Sequence, residues 1–159
     1  MELTEVLRLT DFELYRAFIA YLENRIGEEA GVDQLRAWEA LPDLLKQFHA
    51  VVGLDSQVFN GGFTQYLRVY AGYSPFIASA IRGLDMVGCP AHAELAREAV
   101  AIYVHYLPNL QPLMEEFRIP PRPKVDETDI TERFREAGDL QKILVAWVDA
   151  NREAIRSTA

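Results

Sequence analysis

Cysteine is almost absent from this chain of 159 residues, which contains Cys89 alone. A single thiol cannot form an internal disulfide, so a reducing compartment is the simplest expectation. No apolar run approaches the roughly 18 residues that span a bilayer. The first residues show neither the basic nor the apolar segment of a secretory signal. We therefore expect a cytoplasmic protein.

Recognisable signatures of catalysis and metal binding are also missing. The sequence contains no Gly-x-Ser-x-Gly motif, no phosphate-binding loop and no dinucleotide fingerprint. Its three histidines, His49, His92 and His105, do not follow the spacing of metal ligands. We therefore expect a protein that is not an enzyme and that binds no metal and no cofactor.

Positive charge is scarce. Sixteen basic residues stand against twenty-four acidic ones, which gives a net charge of -8. This balance argues against direct binding to nucleic acid or to an anionic membrane, because both need a basic face. Residues 1–43 carry ten acids and four bases, residues 44–125 six acids and seven bases, and residues 126–159 eight acids and five bases. The excess negative charge therefore lies at the two ends of the sequence, where a basic protein could bind.

Helical periodicity dominates what is present. It predicts an all-α fold, a single domain of about seven to eight helices. The first long helix ends at Gly27, a typical C-terminal stop. Further helices are predicted from Asp33 to Ala40, from Pro42 to Asn60, and after Pro75 and Pro90, since proline suits the first turn of a helix.

The helix that begins at Pro42 leads into Asn60-Gly61-Gly62, where we expect the chain to change direction. Glycine adopts backbone angles that other residues avoid, and asparagine tolerates the left-handed region. Residues 63–70 fit a strand by alternation and a helix by three- and four-residue spacing, and the helical context favours the helix. The triplet is therefore interpreted as a junction between two helices. The buried face before it is predicted to carry Leu45, Phe48, Val52 and Phe59, with Asp55 on the same face.

A proline-rich segment at residues 119–125 predicts an extended linker. It separates a core, residues 1–118, from a pair of C-terminal helices at residues 126–156. The second helix of this pair has an apolar stripe that must pack on the core or on another subunit.

The first helix of the C-terminal pair is acidic. Spacing places most of its carboxylates on one face, although Gly138 and Arg133 interrupt the pattern. On sequence alone a solvated helix face is the preferred interpretation of this pattern, and contact with a protein partner is the second. The residues that we expect to touch a protein partner are Asp126, Glu127, Asp129, Glu132, Glu136 and Asp139.

A motif of fixed spacing surrounds the Asn-Gly-Gly triplet. Its residues, to which we assign a structural role, are Val58, Asn60, Gly61, Gly62, Phe63, Gln65, Tyr66 and Gly72, with Leu84, Val87 and Gly88 further along. With these residues the chain resembles, over roughly residues 40–106, a family of small bacterial proteins that share a domain of unknown function. The best-known member of that family is described as a DNA-mimic protein. The resemblance departs at Gln57, Leu67 and Val69, where the family has an acidic residue, an aromatic residue and an asparagine.

The resemblance implies a mainly helical fold and a homodimer. It also implies that surface carboxylates imitate DNA phosphates and occupy a DNA-binding transcription regulator. We therefore expect a module that binds protein and not nucleic acid. Two alternatives stay open: an antitoxin or immunity protein that neutralises a basic toxin, and a small-molecule site at the junction. The residues of such a site would be Asp55, Gln57, Asn60 and Gln65.

Overall fold

Every regular element is a helix in residues 1–27, 34–124 and 129–158, which are the residues that the computed structural model describes. The all-α prediction is confirmed. A short 3-10 helix at Pro108–Leu110 precedes α7. The α-helices are α1 (Leu3–Val6), α2 (Asp11–Gly27), α3 (Gln34–Glu39), α4 (Asp43–Tyr70), α5 (Ser74–Met86), α6 (Pro90–Tyr103), α7 (Gln111–Glu116), α8 (Ile130–Glu136), α9 (Leu140–Ala150) and α10 (Arg152–Thr158).

Two predicted helix starts, Asp33 and Asp126, fall outside the described residues. The open choice between strand and helix at residues 63–70 is settled, because these residues continue α4 as a helix. No helix within the described ranges is both long enough and apolar enough to cross a membrane.

The first of two structural units comprises Met1–His49 and Leu140–Ala159. In it α2 packs against α9. The ring of Phe48 lies 5.2 Å from that of Phe18 and 5.3 Å from that of Trp147, measured between centroids. Leu144 and Val148 are fully buried. The apolar stripe of α9 therefore packs within this unit, which is one of the two outcomes that its composition required.

The second unit comprises Ala50–Asp139. Here α6 packs against α5, α7 and α8. The buried face of α6 is rich in alanine, and small side chains let neighbouring helices approach closely. The linker residues from Pro120 to Lys124 are exposed and have no regular secondary structure. α8 belongs to this unit and α9 to the first. The predicted single domain, with core 1–118, linker 119–125 and C-terminal pair 126–156, stays a prediction.

Leu45 and Phe48 of the predicted face of α4 are fully buried, but beyond them the buried face is shifted by one residue. Val51, Leu54 and Val58 are buried, at 1% exposure or less. Phe59, which was predicted on the buried face, is 75% exposed, so that prediction is wrong. Both sets of positions keep the helical period, and periodicity alone does not fix the phase when apolar residues occupy two adjacent faces. The shift also explains how α4 tolerates Asp55, which lies at the edge of the core and not inside it.

Candidate functional site

Gly62 interrupts α4 with a sharp kink. Its backbone angles, φ 72° and ψ -176°, belong to a region that is essentially restricted to glycine. A Cβ atom at this position would also lie 2.9 Å from the Thr131 hydroxyl oxygen, which is too close for real contacts. Conformation and space therefore both require glycine here, and the expected change of chain direction is found at Gly62.

At the kink, side chains of α8 bind three backbone groups of α4. In an uninterrupted helix the Phe63 N–H would donate to the Phe59 carbonyl. Here the Phe63 N–H donates to Thr131 Oγ1 at 3.1 Å. The Phe59 carbonyl instead accepts a hydrogen bond from Arg135 Nη2 at 3.0 Å, and the Val58 carbonyl accepts another at 3.1 Å. Two side chains of α8 thus satisfy backbone groups that the kink would leave unpaired.

Apolar packing completes the docking of α8. Ile130 and Phe134 are buried, at 2% and 3% exposure. The Phe134 ring meets the Phe63 ring edge-on at 5.1 Å and the His92 ring at 4.7 Å. Burial lowers the pKa of His92, although a hydrogen bond with the Gly138 backbone opposes this effect. His92 is therefore a neutral core residue near pH 7, and not an exposed charge.

The motif residues divide between core and surface. Val58, Phe63 and Tyr66 are buried, at 1% exposure each. Asn60, Gly61, Gln65 and Gly72 are exposed. The structural role that we assign to this set stays a prediction.

The polar set proposed for a small-molecule site divides into separate contacts. Gln65 Nε2 donates to Gln57 Oε1 at 2.5 Å, so these two amides bind each other across the kink. Asn60 is exposed. Asp55 instead interacts with Asp139: burial, and then the charge of Asp139, raise the pKa of the Asp55 carboxyl to about 6.

The acidic residues expected to touch a partner are exposed wherever the structure describes them. Asp126 and Glu127 lie outside the described residues, whereas Asp129, Glu132, Glu136 and Asp139 are exposed. Two of these four carboxylates have basic neighbours on α8. Glu132 pairs with Arg135 at 2.6 Å, and Asp129 lies 3.9 Å from Arg133. The acidic face of α8 is therefore partly neutralised by its own helix.

Glu98 on α6 connects α8 to the linker. Arg133 donates to both of its carboxylate oxygens, at 2.8 and 3.0 Å, and Arg122 donates at 2.7 Å. The hydrogen bond from Arg133, together with the charges of Arg122 and Arg133, holds the pKa of Glu98 below its usual range, although burial opposes the shift. His105 Nε2 makes a further contact of 2.7 Å with the Arg122 carbonyl. The linker is thus fastened to α6.

Thr131 and Arg135 have no role in the sequence-based prediction, and Phe59 was predicted on the wrong face. Their contacts join positions 68 to 77 residues apart in the chain, which no local pattern reveals. The available signal was Gly62 itself, because glycine often marks a close approach by another segment. No group of three or more His, Cys, Asp or Glu side chains capable of holding a metal is found in the part of the chain that the structure describes.

The part of the chain that contains α4 and α8 matches a known protein family. A family model described as DMP19-like protein matches residues 39–151. Because the match covers more than half of the chain, the chain belongs to the DMP19-like family. The matched region extends from the end of α3 through α8 and α9. No curated protein and no solved structure matches the chain significantly.

Proposed function

We propose that this member of the DMP19-like family is a non-enzymatic, protein-binding module that acts as a DNA mimic. Its exposed carboxylates occupy the basic surface of a DNA-binding transcription regulator, in the place of DNA phosphates. Support comes from the family match, from the net charge of -8 and from the scarcity of basic residues available to bind nucleic acid.

The observation that carries the proposal is the position of the α8 carboxylates. Glu132 and Glu136 are exposed on α8, and Asp129 is exposed at its N-cap. The α4 junction fixes this helix through Thr131 and Arg135. A helix held in this way presents its charges at defined positions. Pre-organisation of this kind lowers the entropic cost of binding.

The number of charges limits how the mimicry works. B-DNA carries one charge per ~1.7 Å of axis, so half a turn presents on the order of ten. The segment from Asp129 to Asp139 offers four acidic side chains, and Arg133 and Arg135 lie among them. One copy of α8 is therefore insufficient, and the proposal includes a homodimer in which two copies contribute carboxylates to one regulator.

The test is competition with DNA. Purified basic regulators of the helix-turn-helix class are immobilised and exposed to the chain, with and without each regulator's operator duplex. We expect binding that the duplex abolishes. The combined variant Asp129→Asn, Glu132→Gln and Glu136→Gln should weaken this binding by about tenfold or more, since charge-paired contacts at an interface typically contribute at least ~1.4 kcal/mol together.

A matched control removes the same number of charges elsewhere. Asp11, Glu13 and Glu23 are exposed on α2, so Asp11→Asn, Glu13→Gln and Glu23→Gln changes the net charge equally. Equal weakening by both combined variants would assign the effect to net charge and contradict a role for α8. Binding that persists in the presence of excess duplex would contradict DNA mimicry.

A further inference from the structure

Among the described residues, three large aromatic side chains are exposed: Phe12, Phe59 and Tyr106. Phe59 is the most exposed of them, at 75%. A single exposed apolar side chain is common and usually needs no partner. Phe59 differs from such cases in two respects: how firmly its backbone is held, and which charges surround it.

The backbone at Phe59 is fixed by contacts just before the kink at Gly62. Arg135 binds the carbonyls of Phe59 and of Val58, whose side chain is buried in the core. A ring on such a support loses little conformational freedom when it inserts into a pocket. This is why rigid aromatic residues are frequent among the hot spots of protein interfaces.

The surroundings of the ring are acidic. Asp55 lies one turn earlier on the same helix, and Asp139 is close enough to raise its pKa. The guanidinium of Arg135 that binds the Phe59 carbonyl also binds the Glu132 carboxylate, at 2.6 Å. Three carboxylates and one guanidinium therefore lie near Phe59, and this excess of negative charge is complementary to an apolar pocket that is bordered by lysine or arginine.

We propose that Phe59 is an anchor that inserts into an apolar pocket within the basic surface of the protein partner. This inference rests on the proposed function and adds a contact that DNA phosphates do not provide. The partner is accordingly a protein whose basic, DNA-binding face contains an apolar cleft, and affinity comes from the ring as well as from the carboxylates.

Two synthetic peptides test this inference without knowledge of the natural partner. The first is an amphipathic helix of lysine and leucine, with an apolar face bordered by charge. The second has the same length and charge but carries serine in place of leucine. We expect the chain to bind the lysine–leucine peptide about tenfold more tightly, and Phe59→Ala to remove most of that preference. Fluorescence anisotropy measures both dissociation constants.

Phe12→Ala is the matched control, because Phe12 is also exposed, at 46%, and lies on α2. It should keep the preference for the lysine–leucine peptide. Equal preference in the wild type and in Phe59→Ala would overturn the inference. The proposed function would survive that result if the combined α8 variant still weakened binding of both peptides.

Two further results are decisive. If neither peptide binds in a salt-sensitive manner, the electrostatic basis of the proposed function fails, and this inference fails with it. If sedimentation shows that Phe59→Ala converts a dimer to a monomer, the ring belongs to an interface between copies of this chain, and the inference is overturned.

Discussion

At the scale of single residues, Gly62 and the side chains of Thr131 and Arg135 determine how α8 docks on α4. The glycine permits a backbone conformation that frees the Phe63 N–H, and Thr131 accepts the resulting hydrogen bond. Sequence patterns identified the triplet as a junction because glycine and asparagine mark such positions. They gave no indication of Thr131, because a hydroxyl that acts across 68 residues leaves no local periodicity.

Gly62→Ala should lower the free energy of unfolding by roughly 1–3 kcal/mol. The new Cβ would be strained by the backbone conformation and would collide with the Thr131 hydroxyl. Urea denaturation measures the change. Gly72→Ala is the control, because a Cβ at Gly72 would meet nothing within 4 Å, and it should cost less than about 1 kcal/mol. Equal losses for the two variants would show that the kink is not strained.

Asp55→Asn should stabilise the chain near neutral pH and have little effect in acid. The folded chain raises the pKa of Asp55 from 3.8 to about 6, so the folded state binds this proton more tightly than the unfolded state. The cost to stability is therefore absent below about pH 4, grows as the pH rises through this window, and is complete above about pH 6. We expect a gain of about 1–3 kcal/mol at neutral pH.

Thermal or urea unfolding across that pH range checks the Asp55 prediction. Asp139→Asn is the companion variant, because it removes the second cause of the shift and leaves the burial of Asp55 unchanged. The pKa of Asp55 in this variant should fall only part of the way from about 6 towards 3.8, because the effect of burial remains. A stabilisation by Asp55→Asn that is independent of pH would contradict the assigned cause.

At the scale of elements, the helices themselves were largely predictable and their docking was not. Proline marked the first turns of α5 and α6, and both helices are found there. The phase of α4 was misjudged by one residue, because Val51, Leu54 and Val58 compete with Val52, Asp55 and Phe59 at the same period. Phe59, the residue proposed as an anchor, is therefore exposed and not buried as predicted.

Thr131→Val should loosen α8 while preserving its shape. The valine keeps the size of the side chain but leaves the partly buried Phe63 N–H without its acceptor, at a cost of roughly 1–2 kcal/mol. Hydrogen exchange at the Phe63 amide and along α8 should accelerate. Thr131→Ser keeps the hydroxyl and should retain slow exchange at Phe63. Equal acceleration in both variants would indicate that the methyl contact, and not the hydrogen bond, holds α8.

At the scale of the whole molecule, folding redistributes charge that the sequence concentrates at its ends. Each structural unit contains twelve acidic and eight basic residues, a net charge of -4. Many of these charges are paired locally, as Glu132 is with Arg135 and Glu98 with Arg133. Electrostatic mimicry therefore depends on the carboxylates that remain at the surface of α8 and on the number of copies that present them, more than on the total charge.

The salt dependence of binding tests the central proposal most directly. A regulator whose binding operator DNA abolishes is titrated with the chain at several salt concentrations, and the logarithm of the binding constant is plotted against that of salt. Charge pairing at a DNA-like interface predicts that affinity falls steeply as salt rises. It also predicts a shallower slope for the combined variant Asp129→Asn, Glu132→Gln and Glu136→Gln. A slope near zero for the wild type, or the same slope for both proteins, would contradict the proposal that the carboxylates of α8 stand in for DNA phosphates.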